Sequence, residues 1–210
     1  MNRRKFVKRA GAGAVGVAGA AIAAPAIAQS MPEVKWRLTS SFPKSLDTLF
    51  GGAEHFAKAV ADMSDNKFQI RTFASGEIVP GLQVVDAVQN ATVECGQTAA
   101  YYYFGKDPSF VFETCLPFSI NQRQLYAWLY HGGGHQLLNN ELYKQYGFTS
   151  YVFGGTGCQM GGWFRKEINT LDDMKGLKFR VGGFAGLILT TLGVVPQQIA
   201  GGDIYPALEK

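Results

Sequence analysis

The sequence predicts an α/β protein of two lobes with mixed, largely parallel sheets, and three observations carry that prediction. Short runs with period-two alternation, such as FQIRTF and LKFRV, are separated by apolar helical patterns, and strands that alternate with helices pair in parallel. A glycine-rich stretch over residues 151–162 divides a longer first half from a second strand–helix–strand run. With 47% hydrophobic and 17% charged residues over 210 positions, the chain has the composition of a protein with a buried core.

WRLTSSF opens the body as a strand. Ser45 is placed to cap a helix whose Leu46, Leu49, Phe50, Ala53, Phe56, Ala57, Val60 and Met63 share one face. FQIRTF is the second strand, and Pro80 starts the helix PGLQVVDAVQN. VECGQTAAYYYF reads as strand and loop. NQRQLYAWLY is a helix that three glycines interrupt and HQLLNNELYKQYG resumes. FTSYVF and GGWFRKEI are expected strands, LDDMK a helical turn, LKFRV a strand, FAGLILTTL a helix and VVPQQIA a last strand. Asp203 is expected to cap the helix begun by GGDIYPALEK. The lobes are thus expected at residues 29–152 and 153–210. The second has too few strands to close a sheet and ends inside a short helix, so the sequence is expected to be a fragment of a longer protein.

Residues 1–28 read as an export leader. NRRKFVK is a twin-arginine patch, GAGAVGVAGAAIAA a weakly apolar run, and Ala26-Ile27-Ala28 an A-x-A cleavage site. The run is too short and too broken by glycine to anchor in a membrane. Arg3, Arg4, Lys5, Lys8 and Arg9 explain the net charge of +4: removing those five from 20 bases leaves 15 against 16 acids, a net of −1. A neutral body excludes nucleic acid as a partner. Cys95, Cys115 and Cys158 have no C-x-x-C spacing and read as free thiols.

Most short motifs fail on their context. His131-Gly132-Gly133-Gly134 matches an esterase oxyanion motif, but no G-x-S-x-G nucleophile elbow exists in the sequence. His131 and His135 stand four apart across glycines that disfavour a helix, so a zinc pair is not expected. Gly155, Gly157 and Gly161 imitate a dinucleotide fingerprint but lead into WFRKEI, which is not a helix start.

Arg180 is different. It ends the strand LKFRV, and Gly182 and Gly183 lead from it into a helix. The C-terminal ends of parallel strands are where α/β sheets bind ligands. A guanidinium is a rigid fork suited to a carboxylate, and the adjacent helix N-terminus adds amide donors. Gln159 offers a neutral amide, though an exposed loop glutamine is as good a reading. Phe42, Tyr102 and Tyr103 are candidates for the apolar end of a pocket, or equally core aromatics.

The leader, WRLTSSFPKSLDT, ASGEIVPGLQVVDAV, QTAAYYYFGKDP, GTGCQMGGWFRKEINTLDDMKGLKFRVGGFAG and VVPQQIAGGDIYPALEK together resemble one family. It is the DctP-type periplasmic solute-binding subunit of tripartite ATP-independent periplasmic (TRAP) transporters, in its 2-oxo acid (α-keto acid) branch. The resemblance implies two α/β lobes that close on a ligand in Venus-flytrap fashion. It makes Arg180, in K-G-x-K-x-R-V-G-G, the carboxylate anchor. Gln159, in G-x-Q-M-G-G-W, is similar to a glutamine that touches substrate and a sodium ion; Cys158 precedes it where a small apolar residue is expected. The remaining metal and substrate ligands of that family would come from beyond Lys210.

The resemblance implies binding without turnover and no covalent cofactor. The ligand would be a small organic acid, pyruvate-like 2-oxo acids first, with lactate or a C4-dicarboxylate behind. The expected partners are the two integral-membrane TRAP subunits and, in the full-length protein, a second copy in a homodimer. The expected location is the periplasm, reached by the twin-arginine route. Two other classes compete: an exported hydrolase using the HGGG segment, and a periplasmic sensor that binds the same acids without transport.

Overall fold

Two parallel sheets organise the described residues, 32–157 and 159–209, of this computed structural model. The leader reading over 1–28 and the expectation for Cys158 lie outside the described residues. Strands β1 (Val34–Ser40), β2 (Phe68–Phe73) and β3 (Cys95–Gln97) form the first sheet in the order β2-β1-β3. Val34 faces Phe68 and Thr39 faces Phe73, while Leu38 faces Cys95 and Ser40 faces Gln97. The second sheet pairs β4 (Lys178–Arg180) with β5 (Val195–Gln197), Arg180 opposite Gln197. Parallel neighbours need a crossover, and helices supply each one. They are α1 (Asp47–Met63) between β1 and β2, α2 (Val84–Gln89) between β2 and β3, and, between β4 and β5, a helix over Gly183–Thr190.

Helix α1 buries Phe50 and Ala53, and its Ala53 joins Leu38 and Ile70 of the sheet in a small core. Its apolar stripe is narrower than the sequence pattern, because Met63 at the last turn is 81% exposed. Ser45 does not cap it. The turn closed by Leu46 N donating to Pro43 O (3.0 Å) holds residues 43–46, and Leu46 occupies the N-cap without a side-chain bond. Asp47 in the first turn instead complements the helix dipole. The larger core gathers Val85, Tyr102, Tyr103, Phe110, Leu129 and Tyr143 with their neighbours.

Helix α3 (Gln122–His131) begins with a capping box, Asn121 Oδ1 accepting from Gln124 N and Gln124 Oε1 accepting from Asn121 N, each at 3.0 Å. The HGGG glycines then stop it. Gly132 N donates back to Ala127 O and Trp128 O, Gly133 is left-handed at φ 80°, and a Cβ on Gly134 would fall 2.5 Å from the Trp128 ring. The glycines are there to turn the chain under an indole. The chain resumes in α4 (Gly134–Leu137), a π turn over Leu138–Leu142 and a 3-10 turn over Tyr143–Tyr146.

Two expected strands are not strands. In FTSYVF the backbone of Ser150 is taken by side chains: Asn139 Oδ1 accepts from Ser150 N at 2.7 Å, and Asn139 Nδ2 donates to Ser150 O at 3.0 Å. His135 Nε2 lies 2.8 Å from the same carbonyl. Nearby, the Glu113 carboxylate accepts from Tyr143 Oη and from Ser150 Oγ (3.1 Å). Burial pushes the Glu113 pKa up, partly opposed by Ser150 and His135. GGWFRKEI likewise pairs with no strand among the described residues, and Trp163 is 86% exposed. The sheet of the second half therefore has two strands where three were expected. The Gly183–Thr190 helix is α5, and the chain closes with α6 (Ile204–Leu208), which Asp203 precedes without a side-chain cap bond.

Candidate functional site

The carboxyl end of β4 delivers Arg180, and the β4–β5 register decides what it meets. Val181 N donates to Gln197 O at 3.1 Å, which continues the parallel ladder past Arg180. Two residues on, Ile199 O accepts from both Nε (3.1 Å) and Nη2 (2.9 Å) of the partly buried Arg180. That fork on one carbonyl fixes the plane of the guanidinium. Arginine has five N–H donors, so three remain, and among the described residues they meet no acceptor and no carboxylate pairs with Arg180. A partly desolvated cation without a counter-charge favours an anion.

The surroundings of Arg180 keep it unneutralised. Tyr101 lies within reach of its charge, and burial drives the Tyr101 phenol pKa well above its ordinary value, the Arg180 charge only partly opposing the shift. Tyr101 is therefore neutral at physiological pH. Crowding around the thiol raises the Cys115 pKa as well, again against the pull of Arg180, although the residue as a whole is exposed. Gly183 takes φ +62°, and a Cβ there would sit 3.0 Å from Tyr101 O. Glycine at this position thus allows α5 to start against the tyrosine segment.

Gln159 stands on a different loop. Its Nε2 donates to Thr156 Oγ1 at 2.7 Å. Gly155 presses that loop onto Gln122 and Tyr126 of α3, beside an open cavity of about 740 Å³ lined by Gln122, Arg123, Tyr126 and Gly157. An amide oxygen is the hard donor that sodium or calcium prefers. Among the described residues, no group of three or more His, Cys, Asp or Glu is placed to hold a metal. Gln159 fits such an ion by donor type, as one ligand of a larger shell.

The three aromatic candidates fall together, in and against the larger core. Tyr102 and Tyr103 are buried, at 9% and 3% exposure, and Phe42 is partly buried against the same cluster. Tyr103 presents no open face to a ligand. Its hydroxyl belongs to a relay. Val85 N donates to Tyr103 Oη (3.2 Å), Tyr103 Oη and Thr98 Oγ1 are 2.9 Å apart, Thr98 Oγ1 and Ser41 Oγ 2.6 Å, and Ser41 Oγ lies 2.5 Å from Gly81 O. Ser41 has one hydroxyl proton and a carbonyl only accepts, so each hydroxyl donates in one direction, from Tyr103 to Thr98 to Ser41 to Gly81. Val85 N is one of the first amides of α2, which lack intrahelical acceptors, so Tyr103 caps that helix from outside it.

Sequence reasoning missed Tyr101, Gln198 and Ile199. The usable signal was VPQQIA as the partner of LKFR: once the two strands are parallel and in register, the residues after Gln197 must face the end of β4.

Among the described residues, the parallel α/β frame thus presents at a strand end an arginine oriented by a carbonyl and unpaired with a carboxylate. The chain belongs to the bacterial extracellular solute-binding protein family 7 (DctP), whose profile matches residues 39–210. It is 52% identical over 180 residues to a monocarboxylate 2-oxoacid-binding periplasmic protein of Nostoc sp., covering 86% of this chain and 49% of that one. A TRAP transporter solute-binding protein of Bordetella bronchiseptica superposes with a TM-score of 0.82 at 52% identity, over 85% of this chain and 53% of that chain. That protein is a dimer with calcium and picolinate copurified in its active site. One from Pseudoalteromonas atlantica, with bound sodium and pyruvate, gives 0.80 at 41% identity, over 84% of this chain and 54% of that one. The chain spans about half the length of these relatives. The family is one of solute-binding proteins, not of enzymes, and HGGG has its structural explanation at Trp128. No helix among the described residues is long and apolar enough to cross a membrane.

Proposed function

We propose that this chain carries the substrate-anchoring half-site of a periplasmic TRAP solute-binding protein. It captures a small monocarboxylate of the 2-oxo acid type, pyruvate first, and delivers it to the membrane subunits for ion-coupled uptake. The observation that carries this reading is Arg180, part-buried, oriented by Ile199 O and without an acidic partner among the described residues. The carboxylate of the ligand takes two of the remaining N–H groups in parallel. Neutral Tyr101 adds no competing charge. Relatives with bound pyruvate at 41% and 38% identity support the ligand class, and their sodium and calcium support a cation beside it.

In this reading Gln159 gives its amide to the ligand and the cation, and the cation neutralises charge next to the 2-oxo group. Phe42 and Tyr102 back the apolar end, and Tyr103 supports them from behind through its relay. Residues 29–152 serve as the first lobe and 153–210 as the hinge crossing and part of the second, and a homodimer is the assembly of the full-length protein. The leader sends the folded protein to the periplasm by the twin-arginine route.

The test is calorimetry on the full-length protein against pyruvate, other 2-oxo acids, lactate and C4-dicarboxylates, each with and without sodium. Saturable binding of 2-oxo acids ahead of the rest is expected. A preference for dicarboxylates, or no discrimination, would overturn the ligand class. Export is tested by changing Arg3 and Arg4 to Lys, which should retain precursor in the cytoplasm.

A further inference from the structure

We propose that Gln198 is a positioning residue that ties the Arg180 strand end to the Tyr101–Tyr103 segment and so sets where the guanidinium stands. The inference rests on the reading of Arg180 as the carboxylate anchor. Glutamine just past a strand is ordinarily a solvated side chain, and Gln198 is exposed as a residue. Yet both ends of its amide are used. Oε1 accepts from Gly183 N at 3.2 Å, and Nε2 donates to Tyr102 O at 2.7 Å, across 96 residues of sequence.

Each bond answers a need. Gly183 N opens α5 and has no intrahelical acceptor, and its N-cap residue, Gly182, has no side chain to supply one. Gln198, just past β5, caps the helix instead. A Cβ on Gly182 would fall 2.5 Å from Gln198 Oε1, so a larger residue there would expel the amide. On the other side Tyr102 is 9% exposed, and its carbonyl gains a donor.

Three successive residues then do three tasks. Gln197 O holds the ladder to Val181, Gln198 reaches the tyrosine segment, and Ile199 O orients Arg180. The two surfaces so joined are in direct contact. Phe104 and Phe184 have ring centroids 5.9 Å apart, and the Gly183 backbone lies against Tyr101 O. A shift of the 197–199 segment would move the carbonyl that orients the guanidinium and its spacing from Tyr101 together.

The experiment, on the full-length protein, compares wild type with Gln198→Met, which keeps the length and loses both polar ends, and Gln198→Asn, which keeps both ends but is one methylene short. Gln197→Met, which leaves the backbone bond of residue 197 in place, is the control. Hydrogen exchange of the Gly183 amide and pyruvate affinity in sodium buffer are read beside the unfolding temperature. Both Gln198 variants should speed Gly183 exchange and weaken pyruvate by about tenfold, the scale of one lost hydrogen bond, and the control should change neither. Unchanged Gly183 exchange would overturn the tie. Faster exchange with unchanged affinity would overturn the positioning role, leaving Gln198 as a helix cap alone. A wild-type protein that binds no 2-oxo acid would defeat the functional reading by itself, and the exchange arm would then decide the tie alone.

Discussion

Replacing Arg180 with lysine separates charge from geometry. The guanidinium spends two N–H donors on Ile199 O, at 3.1 and 2.9 Å, and keeps three, with two on one edge free to meet both oxygens of a carboxylate. A lysine ammonium retains the charge but is a point donor on a flexible stem, so it serves either the carbonyl or the ligand well and not both. The loss is one charge-assisted hydrogen bond and the orientation that came with it, about 1.5–3 kcal/mol, or about 10- to 150-fold in affinity. Arg180→Ala also removes the charge and leaves the Ile199 carbonyl without this donor, so it should bind more weakly still and lose about 1–2 kcal/mol of stability. Calorimetry with pyruvate measures the first effect and urea unfolding the second. An Ala variant that binds within twofold of wild type would refute the anchor. A Lys variant as weak as Ala would refute the argument that charge and fork contribute separately.

Tyr103→Phe keeps the ring in the core but breaks the hydroxyl relay and uncaps Val85 N, so urea unfolding should show a loss of about 1–3 kcal/mol. Gly134→Ala drives a methyl into the Trp128 ring and should cost about 1–3 kcal/mol by thermal unfolding, whereas Gly51, where a Cβ meets nothing within 4 Å, should accept alanine without loss. Arg37 holds Glu94 through a bidentate pair that brings the carboxyl down to about 2. A depressed carboxyl stabilises the fold above its unfolded value, near 4.3, and that contribution disappears as pH falls towards 2. The unfolding midpoint of wild type should therefore drop over that window more steeply than that of Arg37→Met. Equal slopes would remove the pair from the acid response.

What the sequence revealed and what it hid divide along the range of the interactions. FQIRTF and LKFRV were readable because alternation is a local property, and each lies in a parallel pair as the alternation of strands and helices predicts. FTSYVF has similar residues but no strand, because Asn139, eleven residues earlier, occupies the Ser150 backbone with its side chain. Nothing in the six letters encodes that. The capping box at Asn121 has a local signature, whereas Ser45 has the chemistry of a cap at a place where a turn from Pro43 already satisfies the chain. At the site, Arg180 was legible from a strand end followed by two glycines. Its orientation was not, because Ile199 O reaches it only through the β4–β5 register, a pairing between segments that a helix separates in sequence. The run of three tyrosines makes the same point. Tyr101, Tyr102 and Tyr103 are indistinguishable by composition, yet one lies within reach of the arginine's charge, one lends its carbonyl to Gln198, and one caps a helix with its hydroxyl. The different settings of the three side chains follow from a 3-10 turn over Ala100–Tyr103 that rotates successive side chains by about a third of a circle. A single insertion in that turn would change all three environments at once.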